Sequence, residues 1–155
     1  CVLVAIAFIL LASASATGQS QTMMILSKRD TSLAINAWGG ATHGTVLRLH
    51  NGCQAQNPDC TWIYRNRMLL SVRNPQLAIN AWGGAQPGTV LRLHKDCTAG
   101  NPDCTWTWQN GMFISDRDPH LAIKASGGAL HGTVLKLERD CSADNRDCAW
   151  LQQNR

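Results

Sequence analysis

The sequence predicts an all-β domain built from three copies of one unit, with pseudo-threefold symmetry. The stretch LAINAWGGAQPGTVLRLHKDCTAGNPDCTW, which begins at Leu77, recurs with few changes from Leu33 and again from Leu121, always 44 residues apart. Within each copy, short alternating apolar and polar runs are separated by turns that contain Gly or Pro, and no run has helical period. One such unit cannot bury its own apolar face, so we expect three to share a core.

The 155-residue chain divides into an N-terminal segment and one domain. Val2 to Ala12 is almost wholly apolar and small residues follow it, which is the pattern of a secretory signal peptide. We assign 1–22 to a signal peptide with a short N-terminal segment, the alternative being a buried strand or helix. The apolar run is shorter than the roughly 20 residues that span a membrane, so we expect no membrane insertion. The domain is 23–155, with the repeats 24–67, 68–111 and 112–155.

The second copy illustrates the four strands expected in each unit. They are predicted at Met68–Ser71, Leu77–Asn80, Thr89–His94 and Cys104–Trp108. In the second of them, Leu77 and Ile79 lie to one side. In the third, the leucines face inward, while Arg92 and His94 face outward. Three four-stranded units predict twelve strands.

The cysteine pattern agrees with export. Apart from Cys1, the cysteines form three pairs, one in each repeat: Cys53/Cys60, Cys97/Cys104 and Cys141/Cys148. An even number in a secreted chain indicates disulfides, and the symmetry favours closure within each repeat. Each bridge would stabilise the fold by about 2.5 kcal/mol in the chain-entropy model. Zinc is the alternative, but the spacing is not C-x2-C and the cysteine loops contain no His, so the sequence does not favour it.

Charge and motifs narrow the class of function. The net charge is +4 and only 15% of residues are charged, with no basic run, so we expect no nucleic-acid partner. A nucleophile elbow, an H-E-x-x-H motif, a phosphate loop and paired carboxylates are all missing, so we expect neither enzyme activity nor a cofactor. Asn57-Pro58-Asp59 and its counterpart in copy two lack the acidic density of a calcium loop and are interpreted as turns, so no metal site is expected.

Three tandem four-stranded repeats resemble the β-trefoil, and two groups of lectins with that fold are similar to this chain. Ricin-type repeats carry a G-x-x-x-Q-L-W-like strand and a closing Q-x-W, which Gly88–His94 and Cys104–Trp106 resemble. Mussel galactose-binding lectins carry I-H-P-K-G-G and then L-V-L-H-x-D, on which Ile79–Gly84 and Leu91–Asp96 fall. The resemblance covers Met24 to Arg155. It implies a β-trefoil that binds carbohydrate.

The sugar-binding residues of both groups are replaced here. The ricin-type Asp falls on Ala34, Ala78 and Ala122. The ricin-type stacking aromatic falls on His50, His94 and Glu138. The first mussel-type His falls on Asn36, Asn80 and Lys124. Galactose-type sugars therefore remain one candidate ligand, and the site has to be argued from this chain's own residues.

The tryptophans fall into two groups. Trp62, Trp106 and Trp150 occur in every copy, in phase with apolar strand residues, so we expect them in the core. Trp38 and Trp82 lie beside Gly-Gly turns, and Ser126 takes their place in copy three. A position that accepts either Trp or Ser is poorly suited to a core plug, and an exposed Trp suits the apolar face of a sugar. The alternative is a surface Trp that covers its loop.

Polar and turn residues near these tryptophans complete the predicted carbohydrate sites. In copies one and two they are Asn36, Gly39, Gly40, His50, Asn80, Gly83, Gly84, His94 and Asp96. The imidazoles and Asp96 can bond sugar hydroxyls, although solvated strand residues are the alternative for the imidazoles. The glycine pairs are expected to form turns with positive φ. His43 and His131 receive no role, because copy two has Pro87 there.

A weaker third site is predicted in copy three. It consists of Lys124, Gly127, Gly128, Glu138 and Asp140. The function expected is that of a secreted, non-catalytic glycan-binding protein, a monomer or weak oligomer, whose shallow sites gain by avidity. The alternatives are a trefoil-type protease inhibitor, which would need one projecting loop, and a carbohydrate-binding module of a longer secreted enzyme.

Overall fold

A computed structural model describes residues 21–154, which form twelve short strands. The strands are β1 Gln21–Ser27, β2 Ala34–Ala37, β3 Leu47–His50, β4 Thr61–Arg65, β5 Met68–Ser71, β6 Ala78–Ala81, β7 Leu91–His94, β8 Trp106–Gln109, β9 Met112–Ser115, β10 Ala122–Ala125, β11 Leu135–Glu138 and β12 Trp150–Asn154. This all-strand β-trefoil confirms the predicted fold class. Between residues 21 and 154 there is no helix of the length and apolar character that a membrane span requires.

Six of the strands form a ring. Antiparallel ladders join β12 to β1, β1 to β4, β4 to β5, and β8 to β9. Single backbone bonds of 2.8 Å, from Trp106 N–H to Arg67 O and from Trp150 N–H to Gly111 O, link the remaining neighbours. Because β12 pairs with β1, the last copy returns to the first. The ring begins at Gln21, whereas the sequence assigns 1–22 to the N-terminal segment; the predicted signal peptide otherwise lies outside the described residues.

The other six strands form three hairpins, β2–β3, β6–β7 and β10–β11. The hairpins contact one another in cyclic order, because a loop of each copy is bonded to the third strand of another. Gly44 N–H donates to Leu93 O, Gly88 N–H to Leu137 O, and Gly132 N–H to Leu49 O, at 2.7 to 2.8 Å. Copy one therefore docks on copy two, copy two on copy three, and copy three on copy one. These junctions bring side chains of two copies together.

One core occupies the interior. Trp62, Trp106 and Trp150 are at most 1% exposed, and each indole N–H donates 3.1 Å to the carbonyl of Ile35, Ile79 or Ile123 in its own copy. The prediction that these tryptophans are core residues is confirmed. The indole bond satisfies the polar end of a large buried aromatic.

Three disulfides close the predicted loops. They join Cys53 to Cys60, Cys97 to Cys104 and Cys141 to Cys148, and each therefore lies within one repeat. One expectation is corrected here. In copies one and two the second strand does not alternate between core and solvent: all four residues of β2 and of β6 are buried, because the disulfide loop covers the outer face. That loop contacts the strand through Asn36 and Asn80, described below.

Candidate functional site

Trp38 lies where β2 ends and the chain turns away from the core. The residue is 38% exposed, and Trp82, its counterpart after β6, is also 38% exposed. Gly39 and Gly40 follow with φ of 84° and 108°, a conformation that side chains with a Cβ rarely adopt, so the predicted turn is confirmed. No atom lies within 4 Å of the Cβ that either glycine lacks. The turn thus leaves open space beside an exposed indole.

A cavity of about 570 Å³ lies next to Trp38. Its walls come from the β2 turn, from His50 at the end of β3, from the disulfide loop, and from Arg73 of the next copy. Arg73 donates from Nε and from Nη2 to the two carboxylate oxygens of Asp59, the second bond at 2.8 Å. This hydrogen bond raises the pKa of Arg73. The cavity is of a size that small ligands occupy.

Trp38 is flanked by two imidazoles that come from different copies. Its ring centroid lies 5.6 Å from that of His50 in copy one and 5.2 Å from that of His131 in copy three. The two imidazoles lie 4.8 Å apart, edge to face. The guanidinium carbon of Arg48 lies over the indole, 5.7 Å from its centroid, and Arg48 also donates 2.9 Å to Gly132 O. We call these four side chains the Trp38 cluster.

Copy two repeats this arrangement. Trp82 lies 5.4 Å from His94 of its own copy and 5.2 Å from His43 of copy one, and the two imidazoles are 4.7 Å apart. Arg92 lies over the indole at 5.7 Å. Trp82, His94, His43 and Arg92 form the Trp82 cluster. The two clusters agree to within 0.2 Å in every one of these distances.

Backbone N–H groups determine the neutral tautomer of all four imidazoles. His50 Nδ1 accepts from Gly52 N–H at 2.7 Å, and His131 Nδ1 accepts from Asn51 N–H at 3.3 Å. His94 and His43 accept in the same way from Asp96 N–H and Lys95 N–H. A ring whose Nδ1 is an acceptor carries its proton on Nε2 when neutral. Each imidazole therefore offers a ligand a donor, while a metal ligand would need that nitrogen free of its proton.

The third junction has the same backbone but different side chains. Ser126 replaces the Trp, Glu138 and Pro87 replace the two His, and Lys136 replaces the Arg. The Ser126 hydroxyl lies 3.5 Å from Glu138 Oε1. Lys124 Nζ donates 2.6 Å to Asp140 Oδ2, and this bond holds the pKa of Asp140 below its ordinary value. Of the predicted third site, Lys124 and Asp140 are thus paired with each other, and Glu138 lies next to Ser126.

Asn36 and Asn80 are buried, at 6% and 7% exposure. Asn36 Nδ2 donates to Asp59 O at 3.3 Å and to the disulfide sulfur of Cys60 at 3.2 Å, and Asn80 makes the equivalent pair of bonds. Both amide hydrogens therefore hold the disulfide loop against the strand. Asn36 also lines the cavity, so what it can offer a ligand is its amide oxygen. Asp96 and the glycine pair Gly83-Gly84 lie at the surface near the Trp82 cluster.

His43 and His131 are the site residues that the sequence interpretation missed. Within a single copy this position carries no consistent signal, because copy two has Pro87 there. In the structure this position lies in the aromatic cluster of a neighbouring copy, His43 beside Trp82 and His131 beside Trp38. Shifted by one copy, the pattern His, Pro, His matches the pattern Trp82, Ser126, Trp38, which is a signal that the sequence does contain.

Metal binding and acid–base chemistry are less well supported by the structure than ligand binding at the two clusters. Within residues 21–154, no group of three or more His, Cys, Asp or Glu side chains could hold a metal ion. Asp59 in the cavity wall makes an ion pair with Arg73 of the next copy, and its counterparts in the other copies pair in the same way, Asp103 with Arg117 and Asp147 with Arg29. These pairs occupy equivalent positions in the three copies and are half-exposed on the arginine side. Each is expected to contribute little to stability.

Comparison with known proteins shows similarity of fold. No family model matches the chain, and no curated protein matches it. A mosquitocidal holotoxin superposes with a TM-score of 0.73 at 16% identity, over 88% of this chain and 17% of the holotoxin chain. The C-terminal half of an earthworm R-type lectin in complex with GalNAc gives 0.71 at 11% identity, over 87% of this chain and 99% of that one.

A third structure is the β-trefoil lectin of Vibrio vulnificus hemolysin/cytolysin with N-acetyl-D-lactosamine bound. It gives a TM-score of 0.69 at 14% identity, over 88% of this chain and 96% of that chain. The chain thus spans about a sixth of the holotoxin but nearly all of each isolated lectin unit. At these identities the common feature is the β-trefoil fold itself.

Proposed function

We propose that this protein is a secreted, non-catalytic lectin that binds glycans at the Trp38 and Trp82 clusters. The observation that carries the proposal is the pair of exposed indoles, each flanked by two imidazole donors and, at Trp38, adjoining a cavity of about 570 Å³. The flat apolar face of an indole suits the C–H face of a sugar ring, and convergent donors suit its oxygens. Trp38, His50 and the turn at Gly39-Gly40 are the residues expected to touch the sugar.

Structures with this fold support the choice of ligand class. The earthworm lectin half was determined with GalNAc, and the Vibrio domain with N-acetyl-D-lactosamine. These are galactose-type sugars, so galactose-terminated glycans are the first class to test. The three intrarepeat disulfides suit an oxidising extracellular environment, which is where cell-surface glycans are met.

Two clusters on one rigid body make the proposed lectin bivalent. Each site is shallow, so each is expected to be weak alone. Linking two weak sites raises the overall affinity for a glycan-covered surface by an estimated 10²–10⁴-fold when both can engage. We expect the third junction to add nothing, because it lacks the indole and both imidazoles.

A glycan array with labelled protein, followed by an agglutination assay, tests this function. Binding to a defined glycan class, with agglutination that the free sugar inhibits, is the expected result. Absence of any array signal at micromolar protein, together with no agglutination, would reject it. The wild-type protein must first show the strand-rich circular dichroism expected of twelve strands.

A further inference from the structure

The groups around Trp38 are almost all hydrogen-bond donors. Arg48 has no acceptor atom, and His50 and His131 have their acceptor nitrogens occupied by backbone N–H groups. Among the described residues that line the cavity, Asp59 is the only carboxylate, and Arg73 holds both of its oxygens. A sugar bound only through hydroxyl groups also needs acceptors for its own protons. Acceptors such as the Asn36 amide oxygen lie in the cavity wall, but the side chains of the Trp38 cluster itself present only donors, and these complement a group that only accepts.

We infer that the Trp38 and Trp82 clusters select acidic glycans, in which a carboxylate or a sulfate ester lies next to the sugar ring stacked on the indole. This inference rests on the proposed lectin function and names the ligand class of the same sites. The ring would stack on Trp38, and the anionic group would accept the Nε2–H bonds of His50 and His131. Bonds to a charged acceptor are about twice as strong as neutral ones.

Charge in the neighbourhood supports this assignment. The guanidinium of Arg48 lies 5.7 Å from the Trp38 ring centroid and makes no ion pair within residues 21–154. The third junction shows the opposite pattern, because Glu138 takes the place of His50 and Asp140 lies nearby. The chain as a whole carries +4, so long-range attraction has the same sign.

The two clusters differ at one position, and this difference allows a matched test. The residue two places after the His is Gly52 in copy one and Asp96 in copy two; each donates its backbone N–H to that His. The Asp96 carboxylate, which makes no hydrogen bond or ion pair within the described residues, adds a like charge beside an anionic ligand. We therefore expect the Trp38 cluster to prefer acidic glycans more strongly than the Trp82 cluster does.

Single-site proteins separate the two clusters. In the Trp82→Ala protein only the Trp38 cluster keeps its indole, and in the Trp38→Ala protein only the Trp82 cluster does. Each is titrated calorimetrically with matched pairs: sialylated and asialo N-acetyllactosamine, 3-O-sulfated and unmodified galactosides, and glucuronate and glucose glycosides. The sialyl and glucuronate pairs test the carboxylate, and the sulfated pair tests the sulfate ester.

The expected result is at least a fivefold preference for the acidic member of one carboxylate or sulfate pair at low salt, decreasing as salt is added. In the Trp38→Ala protein, Asp96→Asn should raise the ratio of acidic to neutral affinity by about threefold, the order expected for one charge a few ångströms away in water. Asp144→Asn, an equal change in net charge at an exposed position of copy three, is the control and should leave the ratio unchanged.

Three results would overturn the inference, and they are distinguishable. Equal or tighter binding of every neutral partner rejects selection of acidic glycans but leaves the lectin function intact. Binding of no glycan by the wild-type protein rejects both. If the ratio of acidic to neutral affinity rises as much with Asp144→Asn as with Asp96→Asn, the preference is due to the net charge of the protein and not to the cluster.

Discussion

The Trp82 junction and the third junction share one backbone and differ in all four side chains of the cluster. At the first, Gly44 N–H meets Leu93 O; at the second, Gly88 N–H meets Leu137 O, at 2.8 and 2.7 Å. Yet the first holds an exposed Trp with two His and an Arg, whereas the second holds Ser126, Glu138, Pro87 and Lys136. The scaffold therefore does not depend on the cluster. Side chains that can all be exchanged without loss of the junction are better explained by binding than by folding.

Removing both indoles should have the largest effect. The double variant Trp38→Ala/Trp82→Ala should lose glycan binding by at least about 30-fold, because truncating a central aromatic anchor costs roughly 2 kcal/mol or more. The fold should persist, since both residues are 38% exposed. Binding is measured by calorimetry and folding by thermal melting. Ser126→Ala is the control for the third junction, and unchanged affinity in the double variant would refute the site assignment.

Rebuilding the third junction should add a site. Pro87→His, Ser126→Trp, Lys136→Arg and Glu138→His together restore the set of side chains found at the other two junctions. We expect the stoichiometry to rise from two to three glycans per chain, counted by calorimetry with a monovalent ligand. Ser126→Trp alone should not suffice, because the imidazoles and the guanidinium would still be missing. A stoichiometry of two in the fourfold variant contradicts the cluster as the binding unit.

Removing one imidazole at a time should show that each site is formed by two copies. His131→Ala should weaken the Trp38 cluster and spare the Trp82 cluster, and His43→Ala should do the reverse. Loss of one hydrogen bond, worth about 1 kcal/mol, predicts about a fivefold loss of affinity at the affected site. The readout is titration in the two single-Trp backgrounds. Equal losses at both sites in either variant would show that the effect is not local.

The smallest effect concerns the ion pair that replaces an amide at the third junction. Lys124 lies at the position of Asn36, and its bond lowers the pKa of Asp140. Because the folded-state pKa is depressed, the pair contributes stability above the unfolded-state pKa and loses it as the pH falls through the folded-state pKa. Lys124→Ala should return the pKa of Asp140 towards its ordinary value in an NMR titration. Asp140 is 65% exposed on its side chain, so the melting temperature should change little.

Much of the fold followed from the 44-residue repeat. Copies of equal length with alternating apolar residues predict the twelve strands, and an invariant Trp after each second cysteine predicts the buried Trp62, Trp106 and Trp150. The exposure of Trp38 followed from its replacement by Ser126, because a core position would not accept both. These inferences use one copy at a time, which is the range over which periodicity and spacing carry information.

The parts of the site that escaped prediction depend on contacts between or across elements. Asn51 and His131 are bonded although 80 residues separate them, and no spacing rule within a copy brings them together. Likewise, the sequence predicts Asn36 as a ligand-binding residue, but the disulfide loop folds back onto β2 and takes both of its amide hydrogens. Sequence alternation places a residue on a face of a strand. It does not say which loop covers that face.

The cyclic docking of the hairpins has a consequence for what copy three does. This copy has no indole of its own at the junction, yet its His131 lies 5.2 Å from Trp38 and completes the cluster of copy one. The part of copy three in the candidate sites is therefore the imidazole that it supplies to the cluster of copy one. Grafting the first 44-residue segment into another trefoil would transfer three of the four side chains of the Trp38 cluster and one side chain of the Trp82 cluster, and therefore no complete cluster. The smallest unit that carries a complete cluster is a pair of neighbouring copies.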